Sequence, residues 1–186
     1  LERLNQPDVK ILTVEDPVEY QMPGINQIQV KPQINLTFAN ALRSIVRQDP
    51  DVIMIGEIRD LETAEIAVQS ALTGHLVLST VHTNDAASTM NRLLDMGVED
   101  YLLTSTVIGV LAQRLVRTLC PHCKEAHVAL PEIVEQMRLD RFTAAKEITL
   151  YRPVGCAQCA QTGYTGRISI MEMLPITDPL RSLVMK

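Results

Sequence analysis

Four cysteines stand as two close pairs, Cys120 with Cys123 in "CPHC" and Cys156 with Cys159 in "CAQC". Each C-x2-C turn can set two thiolates about 3.5–4 Å apart, near the edge of a ZnS4 tetrahedron with Zn–S bonds of about 2.3 Å. No signal-peptide pattern accompanies them, so two such pairs point to a zinc site before they point to disulfides. The same pattern also fits a redox dithiol or four reduced structural cysteines. Between the pairs lie 32 residues, more than a usual ribbon spacing, and Pro131–Arg141 among them is expected to form a helix. His122 and His127 lie nearby, but four thiolates already complete a tetrahedron, so both are read as bystanders. A metal with four protein ligands keeps no open position; it would stabilise the fold and carry out no chemistry.

A second set of polar residues closes three apolar runs. "KILTVED" (Lys10–Asp16) ends in Glu15 and Asp16, and "VIMIG" (Val52–Gly56) is followed by Glu57 and Arg59. "HLVLSTVH" (His75–His82) ends in His82, with Thr83 and Asn84 behind it. If these runs are neighbouring strands, their ends converge on one crevice. Two or three carboxylates, an arginine and a histidine suit a phosphorylated ligand with Mg2+. The acids hold the metal's water shell or orient a nucleophilic water, the arginine offsets phosphate charge, and the histidine senses a terminal phosphate. The other reading is that strand-end acids only cap the helices that follow, as Asp60 does at the start of the helix expected over Leu61–Thr73.

The elements around these residues are those of an α/β fold. Runs that are apolar on both faces and separated by helices imply a parallel sheet covered on both sides. Leu36–Gln48 carries Phe38, Leu42 and Ile45 at helical spacing, and Leu61–Thr73 carries Leu61, Ala64, Val68 and Ala71. Gly74 stands where a helix-ending glycine belongs. A further helix is expected near Asp85–Met96, closed by Gly97, and another over Tyr101–Leu115. Leu119 is the expected boundary between the sheet region and the cysteine module. "TDPLRSLVMK", at the end, reads as the opening of one more helix.

Composition narrows the function. The net charge is −5, aromatics make up 3 % and Trp is absent, so the chain makes no global electrostatic case for nucleic-acid binding and its composition argues against a base-stacking surface. No apolar run reaches the roughly 18 residues that would suggest a transmembrane helix. The chain starts at Leu1, not Met, and is expected to be a fragment of something longer.

The motifs together resemble a known family. "TVEDPVE" (Thr13–Glu19), "RQDPDVIMIGEIRD" (Arg47–Asp60) and "TGHLVLSTVHTN" (Thr73–Asn84) look like the Asp box, Walker B and His box of the ATPases of type II secretion and type IV pilus systems. "AQRLVRTLCPHC", the second cysteine pair and "GYTGRISIMEML" are similar to the tetracysteine domain of the assembly-type members. The resemblance covers essentially all of residues 10–174, with the type II secretion branch most alike and pilus assembly second.

This resemblance implies a RecA-like P-loop ATPase sheet with helices on both faces over residues 1–118, a tetracysteine zinc subdomain over 119–174, and the start of a helical region over 175–186. It implies a hexameric motor that hydrolyses ATP with Mg2+ to power secretion through pseudopilus assembly. Such a motor lies in the cytoplasm, peripheral at the inner membrane, with platform and cytoplasmic-domain proteins of the secretion machine as partners. Glu57 matches the Walker B glutamate and Glu15 the Asp-box glutamate, which between them position Mg2+ and the attacking water. Asp16 supports that pair, His82 matches the residue near the γ-phosphate, and Arg59 links the site to neighbouring elements. Cys120, Cys123, Cys156 and Cys159 match the zinc ligands. His75 is read as structural, and Arg43 and Arg47 as an exposed helix face. The chain departs from the family in one respect. No G-x-x-x-x-G-K followed by Ser or Thr occurs, so the loop whose amides cradle phosphate is missing and the chain alone is expected to be inactive. The alternatives are a pilus-assembly ATPase, or a non-enzymatic relative whose zinc module serves only for docking.

Overall fold

A strand with neighbours on both sides and layers on both faces buries every side chain, and Ile11–Glu15 (β1) does so throughout. The computed structural model describes residues 1–185 and divides into two units, Leu1–Ala112 with the stretch from Glu172, and Gln113–Met171. After β1 in the first unit come β2 (Asn26–Gln29), α1 (Phe38–Ile45), β3 (Val52–Ile55), α2 (Leu61–Leu72) and β4 (Leu76–Ser79). Two further helices follow, α3 (Ala86–Asp95) and α4 (Asp100–Thr106). The strands form one sheet in the order β2-β1-β3-β4, parallel at every pairing. The expected parallel α/β sheet is present, with β2 as an addition. Its sequence, Asn-Gln-Ile-Gln, is mostly polar because it lies at the sheet edge, and no apolar run marks it.

The two faces of the sheet are covered differently. Leu12, Val14, Ile53 and Ile55 pack with Leu42 and Ile45 of α1, Ala64, Ala67 and Val68 of α2, Met90 and Leu93 of α3, and Leu103 of α4. Period-2 alternation sends Ile11 and Val52 to the other face. There they meet Ile25 and the flanking Leu1, Leu4, Val9 and Met22. Helices were expected on both faces; among the described residues of this unit the α-helices lie against the first, and the second is covered by the N-terminal segment with its 3-10 turn, Glu2–Leu4. An apolar strand run reads the same whichever kind of segment covers it.

The helix starts follow their caps. Asp60 accepts the amide of Thr63 at 2.8 Å and Asp85 that of Ser88 at 2.7 Å, each satisfying a donor that the first turn leaves unpaired. The helix expected over Tyr101–Leu115 is a correction. It ends at Thr106, Val107 is extended, and Gly109–Leu119 is a strand (β5). Thr106, Val107, Ile108 and Gly109 are poor helix formers in succession. The stretch beyond them pairs with a strand far along the chain in a two-stranded ribbon, which local periodicity does not reveal.

The second unit holds β6 (Glu125–Val128), α5 (Pro131–Met137), β7 (Thr149–Arg152) and most of β8 (Tyr164–Pro175), whose end returns the chain to the first unit, where α6 (Asp178–Val184) closes the described chain. β5 pairs with β8, and β6 pairs antiparallel with β7. The helix expected near Pro131–Arg141 is present as α5 and a 3-10 turn over Leu139–Arg141. The helix expected near the end is α6; Lys186, the last residue of that region, lies outside the described residues. No helix among the described residues is long and apolar enough to cross a membrane.

Candidate functional site

Parallel strands deliver whatever follows them to one edge of the sheet. β1 ends in Glu15, β3 runs into Gly56 and Glu57, and β4 runs into Thr80 and the His82 segment. Backbone bonds continue past the strands: Gly56 donates to Val14 O at 2.7 Å and Ile58 to Thr80 O at 2.9 Å. The Thr80 hydroxyl donates to Gly56 O at 2.7 Å. Gly56 has little room, because a Cβ there would lie 3.3 Å from both Glu15 Cα and Val14 O.

Glu57 is the centre of the cluster. It is 8 % exposed, yet both its oxygens meet cationic or potentially cationic partners. Arg59 pairs with Oε1, and His82 Nε2 lies 3.1 Å from Oε2. The side chains of Arg59 and His82 are 63 % and 85 % exposed, so they reach in from solvent to a buried carboxylate. The hydrogen bond from Arg59 holds the Glu57 carboxyl below the usual range; burial opposes this, and the charge of Arg59 and the His82 contact add to it. Arg59 in turn is raised by its bond to Glu57 and, more weakly, by the charge of Asp16.

Glu15 is also 8 % exposed, but it bonds a separate set of residues. Its Oε1 accepts the Thr13 hydroxyl at 2.5 Å and the Gln27 side-chain amide at 2.9 Å. Asp16 lines a cavity of about 310 Å3 with Arg59, Asp60, Glu62, Thr37 and Phe38. Glu57, Arg59 and His82 are thus in direct contact, Asp16 acts on Arg59 through its charge, and Glu15 ends the adjacent strand. Sequence reasoning missed Thr13, Gln27 and Thr80. The alternation of β1 places Thr13 on the face of Glu15, but nothing in the sequence pairs Gln27 with it. His75 Nδ1 contacts Ser70 O at 2.8 Å and the Thr73 hydroxyl at 3.1 Å at the end of α2, a local structural role. Arg43 pairs with Glu62 at 2.5 Å on the exposed surface of α1 and α2.

The four cysteines form a second site. Their sulfurs all lie within 4.8 Å of one another, and among the described residues no other His, Cys, Asp or Glu belongs to the group. Three separations are 3.9, 3.8 and 3.8 Å, against an edge of about 3.8 Å for a tetrahedron with 2.3 Å bonds. Backbone amides point at the sulfurs: Gly155 donates to Cys123 Sγ at 3.3 Å, and Cys156 and Gly163 donate to Cys159 Sγ at 3.3 and 3.2 Å. Burial works against the Cys159 thiolate, but those two amides bring its pKa down to about 6. Such donors stabilise sulfur that carries charge, so this donor set fits a soft divalent cation. Gly163 is required where it stands, since φ is +77° and a Cβ would meet Pro153 Cβ at 2.5 Å.

A family model described as Type II/IV secretion system protein matches residues 1–186. The type II secretion system protein E of Xanthomonas campestris pv. campestris is 66 % identical over 186 residues, which are 100 % of this chain and 33 % of that protein. The type II secretion system ATPase E of Vibrio cholerae is 54 % identical over 184 residues, 99 % of this chain and 36 % of that protein. Among solved structures, that of the pilus retraction motor PilT with bound ADP matches with a TM-score of 0.67 at 28 % identity, covering 99 % of this chain and 44 % of that one. The chain spans about a third of the length of the curated relatives it matches.

Proposed function

The chain belongs to the Type II/IV secretion system protein family, and on that premise we propose that it is part of a motor ATPase that hydrolyses ATP to power type II protein secretion. What supports the reading most is Glu57, a buried carboxylate at the end of β3 that contacts both Arg59 and His82. It follows the strand next to the one that ends in Glu15. Mg2+ bound with the nucleotide would supply charge compensation for the phosphates and polarise the terminal one. Glu57, kept anionic by Arg59, would help hold that cation at the site. Glu15, with one oxygen not bonded by any described residue, accepts the proton as a water oxygen bonds to the γ-phosphorus and the bond to the ADP oxygen breaks. His82 stands at the γ-phosphate end, and Asp16 and Arg59 link the site to the cavity beside α1 and α2. The phosphate-cradling loop is not among the 186 residues, so these residues alone do not turn over ATP.

Cys120, Cys123, Cys156 and Cys159 hold a structural Zn2+, which organises the module over 119–174 and does no chemistry. The motor works as a homo-hexamer in the cytoplasm, at the inner face of the membrane, against platform proteins of the secretion machine. The deciding experiment is Mg-ATP turnover of the full-length polypeptide with and without Glu57→Gln. The variant is expected to lose at least about 100-fold in kcat; turnover equal to wild type would overturn the assignment.

A further inference from the structure

The two candidate catalytic carboxylates are held in opposite ways. Glu57 spends both oxygens, one on Arg59 and one on His82. Glu15 receives both its donors on Oε1. We infer that Thr13 and Gln27 are positioning residues that together occupy Oε1 of Glu15 and so aim its Oε2 at the attacking water. This rests on the ATPase reading above and adds to it two residues that it does not require.

Strand register builds the arrangement. Thr13 and Glu15 are two apart on β1 and share a face. Gln27 of β2 is the parallel partner of Thr13. A slip of one residue would turn Gln27 to the opposite face and leave Glu15 without its second donor. Thr13 is 0 % exposed, so its hydroxyl cannot trade Glu15 for water. The Gln27 amide has one orientation that works. Its nitrogen donates to Glu15 Oε1 and to Tyr20 O, both at 2.9 Å, while its oxygen accepts the Met22 amide at 2.7 Å. Turned over, it would set an oxygen against a carboxylate and a carbonyl, and an NH2 against an N–H. Gln27 therefore fastens the segment after Asp16 to the same carboxylate. A carboxylate gripped through one oxygen loses its rotational freedom but keeps the other oxygen as an acceptor, which a positioned base needs.

The test uses the full-length polypeptide in steady-state Mg-ATP turnover with Thr13→Val, Gln27→Leu and Thr13→Ser, each alone and on Glu15→Ala. Thr13→Val and Gln27→Leu are expected to lower kcat by about tenfold each with little change in KM, and Thr13→Ser to recover most of the Thr13→Val loss. On Glu15→Ala neither should cost anything further. An unchanged kcat, a rise in KM alone, or losses that multiply on Glu15→Ala would overturn the inference. A crystal structure of Gln27→Leu supplies a readout independent of turnover: the Glu15 carboxylate should leave its position or split between rotamers. If it stays in place, Gln27 does not position it. Absence of any Glu57-dependent turnover in the wild type would instead sink the ATPase reading, with the crystal structure still deciding whether Gln27 holds Glu15.

Discussion

His82 Nε2 lies 3.1 Å from Glu57 Oε2, so a histidine whose side chain is 85 % exposed is anchored on a carboxylate that is almost fully buried. The bond fixes one end of the ring while the other faces the open side of the site. Removing the ring should leave the sheet alone, since no apolar contact of the core depends on it. His82→Ala is expected to lower kcat for Mg-ATP in the full-length polypeptide by about 10- to 100-fold. An unchanged far-UV circular dichroism spectrum would show that the fold survives. Loss of that spectrum along with activity would make His82 a structural residue.

The ion pair between Glu57 and Arg59 carries a pH signature. The folded-state pKa of Glu57 is depressed, with the Arg59 hydrogen bond as the leading cause. A depressed carboxylate stabilises the fold above its unfolded pKa, about 4.3 for Glu, and that contribution is lost as pH falls through the lower folded value. Arg59→Ala removes the leading cause. The variant should therefore be less stable than wild type at pH 7, and the two should converge on acidification below about pH 4. Urea unfolding followed at pH 7, 5 and 3 measures this; curves separated equally at all three would exclude the linkage.

Much of this site was legible because parallel strands make strand ends meaningful. Glu15, Glu57 and His82 each follow an apolar run, and adjacency of β1, β3 and β4 brings those ends to one edge. Asp60 was legible as a cap for the same local reason. What the sequence hid depends on partners far along the chain. Gln27 matters through its register with Thr13, which no local pattern encodes. Gly109–Leu115 reads as the end of a helix until the strand Tyr164–Pro175, far along the chain, claims it for a strand. The covering of the second sheet face was equally hidden, since Ile11 and Val52 look the same beneath a helix or a loop.

The tetracysteine group predicts a local dependence on metal. The sulfurs of Cys120, Cys123, Cys156 and Cys159 lie within 4.8 Å of one another, and few large apolar side chains are buried around them. The purified protein should contain one zinc per chain. Chelation, or Cys156→Ser with Cys159→Ser, should speed amide hydrogen exchange across Gln113–Met171 while Ile11–Ser79 keeps its protection. Equal loss of protection in both units would show that the metal supports the whole chain.

Gly56 tests whether the two carboxylate-bearing strands must approach as closely as they do. A methyl group at this position would stand 3.3 Å from Glu15 Cα and 3.3 Å from Val14 O. Both are backbone atoms of a fully buried strand, so they cannot swing aside as a flexible side chain would. Relief has to come from moving the end of β3 away from β1, which lengthens the Gly56-to-Val14 bond, now 2.7 Å, and shifts Glu57 relative to Glu15. Gly56→Ala should cost about 1–3 kcal/mol of stability, the usual range for overpacking a tight interior. Displaced catalytic groups lose more in rate than in stability, so kcat should fall by more than the unfolding equilibrium changes at assay temperature. Denaturant titration and turnover measured on the same preparation separate the two effects. A variant that is destabilised yet fully active would show that the close approach serves packing alone.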